Sequence, residues 1–123
     1  MKMQRFHFKI KTMKEQLIDL EMYIEAYNDT APNDGHALNE ILKKIAVTLC
    51  YLEKPRTEYK LKFERKIYEL TKDKKHTVSR AVNIAEVEVP ELYLLRRIMD
   101  SAYRVCDVIR TNISFLKSEK NYS

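Results

Sequence analysis

The chain has one glycine, three prolines, two cysteines and no tryptophan in 123 residues. So little glycine leaves few positions for the tight turns and bends that sheets require, and it points to few, long helices. It also rules out a glycine-lined phosphate cradle, and neither GxGxxG, a P-loop nor HExxH occurs. No apolar run approaches the roughly 18 residues of a membrane span. The basic N-terminus lacks the apolar stretch and small-residue cleavage site of a signal peptide. Cys50 and Cys106 both fall on apolar helical stripes and are expected to be small buried thiols, not a disulfide or metal ligands. His7, His36 and His76 lie far apart, each near a terminus or loop, and are expected to be solvated. These absences leave a cytoplasmic protein with no cofactor, no metal and no membrane partner as the expectation, and no enzyme.

What is present is periodicity. Leu92, Leu95, Met99, Ala102, Cys106, Ile109, Ile113 and Leu116 alternate by three and four, which places them on one stripe of a long C-terminal helix opened by Pro90. Leu94, Ile98, Val105 and Val108 widen the stripe, and Phe115 continues it. A face this wide wants neighbours on two sides, so these four residues are the expected self-association surface. The opposite face carries Arg96, Arg97, Asp100, Arg104, Asp107 and Arg110, for which intrahelical pairs such as Asp100 with Arg104 are expected.

Met3, Phe6, Ile10, Met13, Leu17, Leu20, Ile24 and Tyr27 predict a first helix over roughly 8–28. Its start also alternates like a strand at Phe6, Phe8 and Ile10, so a docking arm and a frayed terminus both fit. Asn28 to Gly35 is a loop of turn formers. A second helix begins near His36 or Ala37 on Leu38, Leu42, Ile45, Leu49 and Leu52. Its phase continues past Pro55 to Tyr59, Phe63, Lys66 and Leu70, which favours one kinked helix over two. After a basic connection at 72–76, Thr77 caps a short helix with Val78, Ala81, Val82, Ala85 and Ile84 on its apolar face. Pro90 ends it, and 121–123 should fray. The expected fold is all-α: a single domain over 1–123, few long helices in a hairpin or bundle, with one short helix before the long last one.

Charge is distributed in blocks. Residues 1–14 hold five basic and no acidic groups; 15–53 hold two basic and eight acidic; 54–80 hold ten basic and four acidic; the remainder balances at six each. A basic block meets a polyanion or the acidic block of a neighbour. In the third block Lys54, Arg56, Lys60, Lys62, Arg65, Lys66, Lys72, Lys74, Lys75 and Arg80 interleave with Tyr59, Phe63 and Tyr68. Cations neutralise phosphates and aromatic faces stack on unpaired bases. Tyr59 and Phe63 share the phase of the apolar stripe and read as core, which leaves Tyr68 as the stacking candidate. Glu86, Glu88 and Glu91 read as carboxylates serving the dipole of the following helix.

Three stretches carry a resemblance: Leu61-Lys62-Phe63-Glu64-Arg65-Lys66-Ile67-Tyr68, then Lys75-His76-Thr77-Val78-Ser79-Arg80-Ala81, then Ile113-Ser114-Phe115-Leu116-Lys117-Ser118-Glu119. Over about residues 53–120 the chain resembles the small helical recombination mediators of T-even phages, in which a lysine-rich helix leads through a short threonine-valine-initiated helix to a long final one. The resemblance implies single-stranded DNA binding, a ring-shaped homo-oligomer, and partnership with a recombinase and a single-strand-binding protein in the host cytoplasm. It places a DNA-contacting lysine on Lys62; the arginine that follows in the family falls here on Glu64, with Arg65 and Lys66 adjacent. Together with the charge pattern this gives Lys60, Lys62, Arg65, Lys66, Tyr68, Lys72, Lys74 and Lys75 as the expected DNA contacts. The alternative is a small helical protein-binding module, such as a phage inhibitor of a host enzyme, in which the acidic block matters as much as the basic one.

Overall fold

A computed structural model describes the backbone of residues 11–122 and the side chains of 11–120. Met3, Phe6, Phe8 and Ile10, with the docking arm read from them, lie outside the described residues, as does His7. The described residues form four α-helices and no strand: α1 (Met13–Asn28), α2 (Gly35–Thr71), α3 (Val78–Glu88) and α4 (Pro90–Tyr122), with a short 3-10 turn at Lys72–Lys74. The all-α expectation holds, including the short helix before the long last one. α4 runs on through Asn121 to Tyr122, where fraying was expected.

Local chemistry sets most of the boundaries. α1 begins at Met13, later than periodicity alone predicts, because Thr12 and Glu15 form a reciprocal capping box: the Glu15 amide donates to Thr12 Oγ1, and the Thr12 amide donates to a Glu15 carboxylate oxygen, both at 3.2 Å. Such a cap stabilises a helix start by about 1 kcal/mol. α2 is capped by Asp34, whose Oδ1 accepts from the Ala37 amide at 3.1 Å. Gly35 is therefore its first helical residue, not the last of the loop. Left-handed backbone appears instead at Asp73 (φ 63°) and Lys74 (φ 59°), where the chain reverses between α2 and α3. Each such non-glycine residue costs about 1–2 kcal/mol. Thr77 caps α3 as expected, accepting from the Arg80 amide. Pro90 opens α4, and α2 continues unbroken through Pro55.

Three contacts fix how α2 meets the returning chain. Gly35 lies against Leu116, Tyr103 bonds Glu53, and Lys66 pairs with Glu88. α3 and α4 thus run back along the whole of α2, antiparallel to it. At about 1.5 Å per residue this hairpin is some 55 Å long, whereas the 16 residues of α1 reach about 24 Å. α1 packs beside the first half of α2 and touches α4 as well. The molecule is a three-helix bundle at one end and a bare two-layer hairpin at the other.

The bundle core joins Leu20 of α1, Leu38, Ile41, Ile45, Leu49 and Leu52 of α2, and Leu95, Met99, Ala102, Cys106 and Ile109 of α4. Along the hairpin Ala81, Ala85, Val89 and Leu92 are also buried. Small alanines let α3 lie close to α2. Two expectations fail. Cys50 is exposed, since it lies on the outer side of α2; only Cys106 is a buried thiol, and burial pushes its pKa up. Val78 is 65% exposed, so α3 buries a narrower stripe than its apolar residues suggest.

At the level where the bundle gives way to the hairpin, the Tyr103 hydroxyl donates to Glu53 at 2.5 Å, and the other Glu53 oxygen accepts from Arg56 at 2.7 Å. The bond to Glu53 pushes the phenol up to about 12, with burial adding to it. A proton held more tightly in the folded chain than in the unfolded one, whose phenol titrates near 10, contributes stability below about pH 10 and loses it as pH rises toward 12. Ultraviolet titration should show one of the eight tyrosines ionising late, and Tyr103→Phe should remove that step. A Tyr103→Phe protein that keeps the late step would exclude this assignment.

Candidate nucleic-acid interface

The hairpin end collects the basic block. Leu61, Arg65 and Tyr68 of α2, and Lys72 just past its end, follow a four-three-four spacing and all are exposed, so two cations flank an aromatic ring at the end of the helix. Tyr68 is 68% exposed, while Tyr59 and Phe63 are half-buried, as their phase predicts. Lys62 is exposed beside this face, and Lys74 and Lys75 sit at the hairpin tip. Lys62, Arg65, Lys72, Lys74 and Lys75 make no ion pair among the described residues.

Two of the expected contacts stand apart. Lys66 lies on the inward flank of α2 and pairs with Glu88 at 2.9 Å, which raises its pKa and ties the end of α3 to α2. Lys60 lies on the other flank, near Glu64 at 4.0 Å, an exposed and weak pair.

The antiparallel register adds residues that charge counting along the chain did not gather. It brings the first turns of α4 alongside the basic half of α2, so exposed Tyr93, Arg96 and Arg97 join this end. Neither arginine has an ion-pair partner among the described residues. The expected Asp100–Arg104 pair does not form; the pair on that face is Asp107 with Arg110 at 3.2 Å. An arginine pair beside a tyrosine was visible in the sequence, but its proximity to the lysines 30 positions earlier was not.

The three carboxylates of the α3–α4 junction part ways. Glu88 pairs with Lys66, Glu86 faces a cleft, and Glu91 stands in the first turn of α4 with one oxygen buried and unpartnered. Only Glu91 fits the expected dipole role.

The acidic block lies on α1 and the first half of α2, in the bundle. It does not neutralise the basic end within the chain; its members pair locally, as in Lys11–Asp19, Glu40–Lys43 and Glu53–Arg56. Of the expected self-association residues, Leu94 and Val108 are 53% and 46% exposed, whereas Ile98 and Val105 are half-buried against the core. Phe115 extends this second seam and is 61% exposed.

Among the described residues, no group of three or more His, Cys, Asp or Glu side chains is placed to hold a metal ion, and no helix is long and apolar enough to cross a membrane. His36 and His76 stand at opposite ends of α2. No family model, no curated protein and no solved structure matches the chain.

Proposed function

We propose that the protein is a non-catalytic single-stranded DNA-binding recombination mediator of the phage type, working as a homo-oligomer. The observation that carries this reading is the set of unpaired cations at the hairpin end: Lys62, Arg65, Lys72, Lys74, Lys75, Arg96 and Arg97, with Tyr68 exposed between Arg65 and Lys72. None of them makes an ion pair among the described residues, so a polyanion outside the chain is the natural partner. Tyr68 adds a ring on which a base can stack once it is unpaired. Lys60 and Lys66 contribute to the field but spend part of their charge on Glu64 and Glu88. The second apolar seam of α4 supplies an assembly surface through Leu94 and Val108, with Ile98 and Val105 at its base. Assembly would repeat the basic end and raise affinity through multivalency. A recombinase and a single-strand-binding protein are the protein partners this role implies.

The test is a binding titration with labelled single- and double-stranded oligonucleotides at several salt concentrations, with light scattering on the same samples. The logarithm of affinity for the single strand should fall with the logarithm of salt at a slope of about 0.7 per phosphate contact, and neutralising Lys62 with Arg65 should lower that slope by about 1.4. Tyr68→Ala should cost about 1–3 kcal/mol of affinity with the slope unchanged. Absence of salt-sensitive binding at low ionic strength would end this reading.

A second reading has its own observation. Ile18 and Met22, one turn apart on α1, are 48% and 58% exposed among Glu21 and Glu25. An apolar pair within an acidic surface suits a protein-binding module, such as a phage inhibitor of a host enzyme, and this reading takes over if DNA binding is absent.

A further inference from the structure

A cleft of about 380 Å³ opens where α2 meets the α3–α4 junction. Its floor is Val89 and Leu92, each 3% exposed. The half-buried ring of Phe63 forms one wall, and the ring of Tyr93, 65% exposed, stands at the mouth. Two opposite charges border it, Arg96 and Glu86, neither with a partner among the described residues. The cleft exists because Val89 and Pro90 break the returning helix: Val89, at φ −127°, leaves helical geometry before α4 begins.

These features fit one kind of occupant. The volume lies at the low end of the ~300–1,000 Å³ range of small-ligand sites, which suits a single flat ring system. Two aromatic walls over an aliphatic floor favour a planar π-system. An unpaired arginine at the edge suits a phosphate, and an ionised carboxylate only accepts, so it calls for a donor-bearing edge opposite it. A nucleotide offers all three: a flat base, a flanking phosphate and a donor-bearing edge.

We propose that this cleft takes one unpaired base of a DNA single strand, its ring against Phe63 and Tyr93, its phosphate at Arg96 and its Watson–Crick edge toward Glu86. The assignment rests on the single-strand reading above and adds a base preference to it. Guanine presents two adjacent N–H groups on that edge and matches a carboxylate best. Thymine presents one N–H between two carbonyl oxygens, which the Glu86 carboxylate repels. The outward face of Arg65, Tyr68 and Lys72 is open and flanked by the exposed acids Glu64 and Glu69, so the test reads the preference at Glu86 itself.

The experiment compares a heptamer of thymidines with the same strand carrying one central guanine, by fluorescence anisotropy at low salt. Wild type should bind the guanine strand about tenfold more tightly, the scale of one two-donor contact. Glu86→Gln, an exposed isosteric change, should abolish that preference while leaving the affinity for the thymidine strand unchanged or slightly higher. Tyr93→Ala should weaken both strands about tenfold without changing the salt slope, and Arg96→Ala should lower the slope by about 0.7. If wild type binds single strands with a normal salt slope but shows no guanine preference, and Glu86→Gln and Tyr93→Ala bind as wild type, the cleft is not a base site although the single-strand reading stands. If wild type binds no single strand, both are wrong.

Discussion

Leu52→Ala is expected to destabilise the fold by about 2–5 kcal/mol, the range for truncating a fully buried leucine. Leu52 is 0% exposed and lies in the core cluster with Leu95 and Met99, near the level of the Tyr103–Glu53 bond. α1, which begins at Met13, is running out at this level, so fewer elements are at hand to collapse into the space vacated. For a chain of this size the loss corresponds to a fall in melting temperature of about 10 °C or more. Leu61→Ala, nine residues on in the same helix, should stay within about 0.5 kcal/mol, because Leu61 is 47% exposed. Chemical denaturation of the two variants side by side makes the check. Equal losses would mean that the burial pattern of α2 described here is wrong.

Pro55→Ala should act in the opposite direction and stabilise the protein by about 1–3 kcal/mol. Pro55 sits inside α2 without an N–H, so the carbonyl of Tyr51 has no donor four residues on. Alanine restores that bond and relieves the ring's clash with the same carbonyl. Tyr51 is 66% exposed, on a side of the helix where water offers a substitute, which is why the lower end of the range is realistic. Pro55 also stands in the stretch of α2 that joins the bundle to the basic hairpin, upstream of Arg65, Tyr68 and Lys72. A variant that is more stable yet binds single strands more weakly would assign the proline a role in presentation. Loss of stability on substitution would show instead that packing around the proline ring outweighs the missing hydrogen bond.

Periodicity revealed the seams of α2 and α4 because a straight helix repeats its faces every three or four residues whatever it packs against. The buried residues Leu38, Ile45, Leu49, Leu52, Leu92, Leu95, Met99, Ala102, Cys106 and Ile109 were all legible in that way. The start of α1 differs from the periodic expectation because the apolar repeat runs on before the Thr12–Glu15 box, a side-chain signal also present in the sequence. Cys50 is exposed because it adjoins Leu49 in sequence but sits about 100° further round the helix, where solvent begins. Gly35 reads as loop by residue type, whereas the Asp34 cap just before it makes it helical.

The candidate site was legible in part. Lys62, Arg65, Tyr68, Lys72, Lys74 and Lys75 stand exposed, as an amphipathic helix and a polar connection require. Lys66 differed because it meets Glu88 of a helix that lies beside it only after the chain reverses. Arg96, Arg97, Tyr93 and the cleft between Phe63 and Glu86 came into view for the same reason.

Helix content, helix order and the identity of the main buried seam are consequences of local spacing, caps and the scarcity of glycine, each acting over a few residues. The pairing of charges and the gathering of a site are not, because both depend on an antiparallel register that brings residues such as Glu53 and Tyr103 together across 50 positions. That register follows from where the turn at Asp73 and Lys74 falls and from how far α1 reaches along the hairpin. No single segment encodes either one, so the acidic bundle and the basic, open hairpin emerge only once the helices lie side by side.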